Sequence, residues 1–493
     1  MNPRNKSATK CAKRLALFAT LATLLLSTHA PAQSTWTVTV LHPAGQRDSE
    51  AYGVGVDQVG YVRQQVGQNR AAFWSGSANS FVTLHPDGAL NSVAWGSGGG
   101  QQVGQVQFPG LGSFNHASLW TGTAGSRVDL NPPGWAQSVA LDTAGGQQVG
   151  YATFSAAFVS SAILWTGTAE SFVILDPANA GGASVAEGTD GVQQVGSWVP
   201  QGTLSLRAAL WSGTAASHVD LHPVSIGVSS RAFDVSRGQQ VGVLRLPVPQ
   251  PGGDSVDVAS LWTGAAASWV NLNPAGAISS EAKGVLNGMQ VGFAQTAMGR
   301  RASLWRGTAA SWVDLHAFLP PEFSSSSARD IASDGTTVSI AGFGFNTINN
   351  RTEALIWRAP DPSGCDVLDP APLNAAVEFE SIQAIFTGGV GQEARCTTCH
   401  SPNVSAGLSL APENSFAALV NVDSSQDPTI KRVAPFSADT SLLFRKVNCT
   451  NPGVGLRMPR GRPPLSLDEQ RLIRDWINQG AVQRQRVLVD GFE

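Results

Sequence analysis

The sequence predicts a multidomain molecule, an all-β seven-bladed propeller followed by a small all-α domain. Three observations predict it. A unit built around one tryptophan recurs every 43 to 52 residues between positions 33 and 360. The two ends of that array are incomplete in complementary ways. After residue 374, helix capping and 3.6-residue periodicity replace strand signals.

The chain opens with Arg4, Lys6, Lys10, Lys13 and Arg14, then an apolar run from Leu15 to Leu26, then Ala30-Pro31-Ala32. That order of charge, apolar run and small residues predicts a secretory signal over 1–32, cut after Ala32. The run is short for a membrane span, and Cys11 precedes it, which is the wrong side for a lipid anchor. The expected location is periplasmic or extracellular, with no membrane span.

Residues 33–360 carry the repeat. Its landmarks are Trp74, Trp120, Trp165, Trp211, Trp262, Trp305 and Trp357. Each unit reads as an alanine-rich strand, a Gln-Val-Gly strand, an Ala-x-Leu-Trp strand ending in Thr-Gly or Ser-Gly, and an alternating strand ending in Leu-His-Pro or Leu-Asn-Pro. Four short strands bounded by glycine and proline turns match a propeller blade. Trp36 to Leu41 is a fourth strand lacking three, and Ala328 to Arg358 is three strands lacking a fourth. Joining them completes a seventh blade and removes an open sheet edge.

Symmetry limits what the repeats can do chemically. His42, His85, His222 and His316 recur, but Asn131, Asp176 and Asn273 take the equivalent places, so turn capping fits better than metal binding. His116, His218, Arg300 and Arg301 stand outside the common positions and are the residues a catalytic reading would use. The units lack the Trp-Asp pair of WD40 blades and the Gly-Gly pairs of kelch blades. They resemble the extracellular repeats of the HAF family, whose units run through a similar aromatic-leucine-tryptophan strand and a Gln-Val-Gly strand. That resemblance implies export and repetition and carries no activity.

A linker over 361–374 follows, stiffened with its border by Pro360, Pro362, Pro370 and Pro372. The domain over 375–482 then shows helix signals in order. Val377, Ile382, Ile385 and Phe386 predict a short helix before Gly388-Gly389, and further short helices are expected from Ser415 to Val420 and from Leu442 to Val447. Ser466 and Glu469 form a capping box for a last helix whose apolar face is Leu472, Ile473, Trp476 and Ile477, stopped by Gly480. Residues 483–493 read as a tail.

Within this domain lies Cys396-Thr397-Thr398-Cys399-His400. C-x-x-C-H is the attachment sequence of a c-type haem: two thiols three positions apart reach two vinyl groups of one porphyrin, and the next residue brings an imidazole to the iron. A zinc site would need a second pair of ligands, which the chain does not supply. A thioredoxin-type dithiol would need β-α-β surroundings, which the flanks do not show. A plain disulfide turn is the remaining alternative. After residue 360 the chain has one histidine, His400, and one methionine, Met458, so elimination points to Met458 as a distal ligand; a core methionine is the other reading. Once the signal is cut four cysteines remain, and two given to haem leave Cys365 and Cys449 to form a disulfide.

The stretches Cys396 to His400, Gly407 to Leu410, Ser441 to Lys446, Arg457-Met458-Pro459 and Leu465 through Ala481 resemble the class I c-type cytochrome domain of planctomycete-type multidomain proteins. The resemblance implies one covalent haem c with His400 proximal and Met458 distal. It implies electron transfer with a redox partner protein or a small electron donor or acceptor, more an electron carrier than an enzyme. Arg457, Arg460 and Arg462 beside Met458 suit haem propionates, guidance of an acidic partner, or plain solvation. The propeller would bind or dock a surface polymer or protein. Two other classes stay open: a quinoprotein-like dehydrogenase feeding its own haem, although the docking repeat of those blades is missing, and a non-catalytic scaffold. Charged residues make up 14% and the formal net charge is −3, which leaves no footprint for nucleic acid.

Overall fold

The computed structural model describes residues 36–483 except 65–67, 111–113, 155–158, 248–254, 362–363, 366–367, 369–375, 389–395, 402–404, 451 and 461. The expected signal, Pro362, Pro370, Pro372, Gly389 and the tail from 484 lie outside the described residues. Seven four-stranded antiparallel sheets follow one another along the chain. The first blade comprises Asp48–Val54, Gln58–Arg63, Asn69–Trp74 and Val82–Thr83. Its first strand touches the first strands of the second and seventh blades, and the same relation runs through all seven, so the sheets close into a ring. The seventh blade takes Phe323–Ser333, Thr337–Asn346 and Arg351–Pro360 and receives Thr37–Val40 as its outer strand, with Thr37 opposite Arg358 and Val40 opposite Leu355. The chain's two incomplete ends therefore make one blade.

Each motif of the repeat has a physical task. The seven landmark tryptophans are fully buried and pack between blades. The glycine of Gln-Val-Gly faces a bulge in the first strand: a Cβ on Gly150 would sit 1.9 Å from the Val139 carbonyl oxygen, so no larger residue fits. The glutamine of the same motif caps the turn after the tryptophan, Gln148 accepting from the Gly167 amide at 2.7 Å and Gln194 from Gly213 at 2.7 Å. The expected fourth strand is shorter than its alternating sequence suggests. In blades one to six it is a one-turn 3₁₀ helix and a two-residue strand, because a serine such as Ser171 takes up the turn's backbone groups, accepting from the Thr166 amide and donating to the Thr168 carbonyl. A short outer strand leaves little open edge.

Among the described residues after the propeller there are five α-helices: α1 Phe379–Thr387, α2 Thr397–His400, α3 Ser415–Leu419, α4 Leu442–Asn448 and α5 Leu467–Asn478. Gly388 at φ 80° ends α1. The capping box of α5 forms, with the Ser466 amide donating to Glu469 at 2.8 Å. The core of this region holds Phe379, Ile382, Phe386, Leu419, Ile473 and Trp476, with Phe379 5.2 Å from Trp476 ring to ring.

Candidate functional site

The five-residue cysteine motif folds as a single helical turn. Cys396 accepts from the Cys399 amide at 3.2 Å and from the His400 amide at 3.0 Å, so the i, i+3 and i+4 spacings bring the two thiols and the imidazole together. Cys396 is half-buried and Cys399 is exposed. His400 Nδ1 lies 3.1 Å from the Leu408 carbonyl oxygen. A carbonyl only accepts, so Nδ1 carries the proton and Nε2 keeps its lone pair for a metal.

These three residues line a cavity of about 340 Å³ whose wall is mostly apolar, including Phe386, Leu408, Leu443 and Leu465. Met458 lines the same cavity, 58 positions further along the chain from His400. Its loop is tied down by the Met458 amide, which donates to the Lys446 carbonyl of α4 at 2.7 Å. Arg460 and Arg462 also line the cavity, and Arg457 is not among the lining residues. Two cations that sequence reasoning missed join them, Arg432 and Lys446. Burial pushes the Lys446 ammonium pKa down. Arg432 donates to the carbonyls of Ala418 at 2.9 Å and Gly407 at 3.0 Å, clamping the loop after α2 to α3. Lys446 stands in a stretch that the sequence had already marked, but only the turn of α4 aims it at the cavity.

The residues present fit a haem. Thiols sit on one helical turn, an imidazole has its distal nitrogen available, a thioether lines the same cavity, and the wall is mostly apolar. Among the described residues no three His, Cys, Asp or Glu side chains gather as a metal-binding group. A porphyrin supplies four ligands of its own, so it asks the chain for only two.

Cys365 and Cys449 are joined, S–S 2.04 Å, which fastens the linker to the residue after α4. The Thr450 amide donates to the Gly364 carbonyl at 3.0 Å beside it. Arg237 pairs with Asp439 at 3.3 Å, which connects a hairpin turn of the fifth blade with the segment before α4.

The propeller residues singled out for catalysis do not converge. His116 pairs with Asp129 at 3.0 Å. His218 stands edge-on to Trp198, centroids 4.4 Å apart. Arg300 lies over the Phe293 ring at 4.2 Å, and Arg301 reaches the Met298 carbonyl at 3.4 Å. The recurrent histidines cap turns: His42 Nδ1 is 2.8 Å from the Ser49 hydroxyl and its Nε2 is 3.1 Å from the Gln46 carbonyl, with His85 in the same arrangement. Asn131 and Asn273 make the equivalent bonds to Ser138 and Ser280. Burial lowers the pKa of His42, His85, His222 and His316 and keeps them neutral.

No protein-family model matches the chain, and no curated protein matches it. Solved structures do. The β-propeller domain of the Trilobed protease from Pyrococcus furiosus, described as having an open velcro topology, is 8% identical over 63% of this chain and 94% of that one, TM-score 0.42. Puromycin hydrolase is 11% identical over 62% of this chain and 53% of that one, TM-score 0.41. Acylaminoacyl peptidase from Pyrococcus horikoshii is 9% identical over 64% and 52%, TM-score 0.40. These likenesses transfer no activity. No helix among the described residues is long and apolar enough to cross a membrane.

Proposed function

We propose that the chain is an exported monohaem c-type cytochrome, an electron carrier joined to a propeller that docks it. The observation that carries this reading is His400, placed on the C-x-x-C-H turn with Nδ1 held by the Leu408 carbonyl and facing the cavity that Met458 also lines. Cys396 and Cys399 would hold the haem through their sulfurs, and His400 and Met458 would bind its iron. Bound haem supplies a one-electron ferrous–ferric couple. The Leu408 carbonyl orients the imidazole and raises its basicity by accepting a hydrogen bond from Nδ1–H. The apolar wall excludes water, and the cations Lys446, Arg460 and Arg462 suit the propionates. This is the role the class I cytochrome resemblance implies, and the redox partner would be a protein or a small donor or acceptor.

The test is expression of the full precursor in a host with periplasmic haem-attachment machinery, followed by pyridine haemochrome and reduced-minus-oxidised spectra. The expected result is one covalent c-type haem per chain with low-spin bands. Absence of covalent haem overturns the reading. Met458→Ala is expected to give a high-spin haem that binds added ligands readily, and an unchanged low-spin spectrum removes Met458 from the role.

A further inference from the structure

The first strands of all seven blades share one scaffold, Ser-x-Ala followed by one free position and then Gly or Asp. Ser49 and Ala51 in the first blade, and Ser280 and Ala282 in the sixth, are fully buried between blades. The free position is partly exposed in every blade, and no two blades fill it alike: Tyr52, Trp95, Leu141, Glu187, Phe233, Lys283 and Arg329. The first strands touch one another around the ring, which puts these positions of neighbouring blades within reach of one another. The repeat thus keeps its packing positions, Ser, Ala and Gly or Asp, while the position after Ala differs in every blade and the position before it also varies, with Glu50, Arg231 and Glu281 among its residues.

The side chains of this belt engage one another across blade boundaries. Tyr52 and Trp95 pack with centroids 4.6 Å apart and their ring planes tilted by 54°. Lys283 Nζ lies 3.5 Å over the Phe233 ring and pairs with Glu281 at 2.5 Å. Arg231 pairs with Glu187. Glu50 accepts from the hydroxyls of both Tyr52 and Tyr61 at 2.7 Å. Arg329 differs. Its guanidinium lies 5.2 Å from the Tyr52 centroid and 5.2 Å from that of Phe343, its Nε is buried with no acceptor, and among the described residues it makes no ion pair. A partly buried cation held between two aromatic faces and lacking a carboxylate is costly unless a ligand supplies one.

We propose that the belt binds an acidic saccharide, with a sugar ring against Tyr52 and Trp95 and its carboxylate on the Arg329 guanidinium. Aromatic faces suit the C–H face of a sugar ring, and a planar guanidinium matches a carboxylate in two parallel hydrogen bonds. Glu50 and Lys283 supply an acceptor and a donor for hydroxyl groups on either side. The site is independent of the haem reading, since none of its residues lines the haem cavity.

The experiment is calorimetric titration of the full chain with galacturonate, glucuronate and mannuronate oligomers and with neutral oligomers of matching length, read together with Trp95 fluorescence. Binding of at least one acidic oligomer, weakened about tenfold to a hundredfold in Arg329→Met and retained in Arg245→Met, is the expected result. Arg245 pairs with Asp257 away from the belt and serves as the control. Tyr52→Leu, which removes the stacking face, provides a second reading should Arg329→Met fail to fold. No binding by any acidic oligomer, equal affinity for neutral ones, or full affinity in both variants overturns the proposal.

Discussion

At the scale of the residue, the seven landmark tryptophans look alike in sequence and differ in one bond. Trp357 donates its indole N–H to the Leu315 carbonyl at 3.0 Å, whereas the indole nitrogens of Trp74, Trp120, Trp165, Trp211, Trp262 and Trp305 are buried with no acceptor. The ring area each one buries outweighs an unmade bond. Trp165→Phe therefore loses area alone, while Trp357→Phe loses area and a hydrogen bond that its indole N–H makes. The second substitution is expected to cost about 1 kcal/mol more than the first, and urea unfolding of the two variants measures the difference. His400 belongs to the same scale. Its neighbour in sequence names it as a ligand, yet the proton on Nδ1 is set by Leu408, eight residues on and brought back by the loop between α2 and α3.

At the scale of the element, the blade is a set of four strands whose spacing is enforced by glycine. Gly60, Gly104, Gly150, Gly196, Gly242 and Gly292 each lie where an added Cβ would meet a carbonyl oxygen of the neighbouring strand at 1.9 to 2.0 Å. That backbone cannot retreat without breaking the pairing on which the bulge depends. Gly150→Ala is expected to destabilise the propeller by on the order of 3 kcal/mol, whereas Gly134→Ala, at a φ of 82° but with open space around it, costs only its strained φ, about 1 kcal/mol. Thermal denaturation followed by near-ultraviolet circular dichroism separates the two outcomes. Among the helices, α5 was readable to its ends because the capping box and the apolar face are local signals. The one-turn α2 was readable only as a chemical motif.

At the scale of the whole molecule, three carboxylates on the third, fifth and seventh blades each fasten their blade to the next one round the ring. Asp142 accepts from the Thr189 amide of the fourth blade at 2.8 Å, Asp234 from Val285 of the sixth at 2.7 Å, and Asp330 from Val54 of the first at 2.7 Å. Burial raises all three, to about 6 for Asp142 and about 7 for Asp330, and for Asp234 the charges of Asp142 and Asp330 add to the effect of burial. A folded-state pKa above the unfolded value means that the native state holds more protons between pH 4 and 7, so stability from these groups is full below about pH 4 and declines as the pH rises through 6 to 7. The buried histidines act in the opposite sense, losing stability as the pH falls below their ordinary 6.5. The slope of melting temperature against pH between 5 and 7.5 is therefore expected to become more positive in Asp142→Asn than in the parent. An unchanged slope would show that Asp142 does not titrate in this range.

The sequence by itself determined the number of blades, their strand order and the joining of the chain ends, since each repeat carries its own turn signals and Trp36 to Leu41 could complete only one blade. It also placed Cys396, Cys399, His400 and Met458 as one candidate set, and paired Cys365 with Cys449 by elimination. Only the tertiary structure decided what surrounds them. Lys446 and Arg432 reach the cavity because α4 and the α3 clamp point them there, and Tyr52, Trp95 and Arg329 meet because ring closure brings strands from the first, second and seventh blades together. A local motif is written in consecutive residues and survives as a pattern in one dimension. A site assembled from positions some 280 residues apart, as Tyr52 and Arg329 are, exists only once inter-blade packing has set the distance between them.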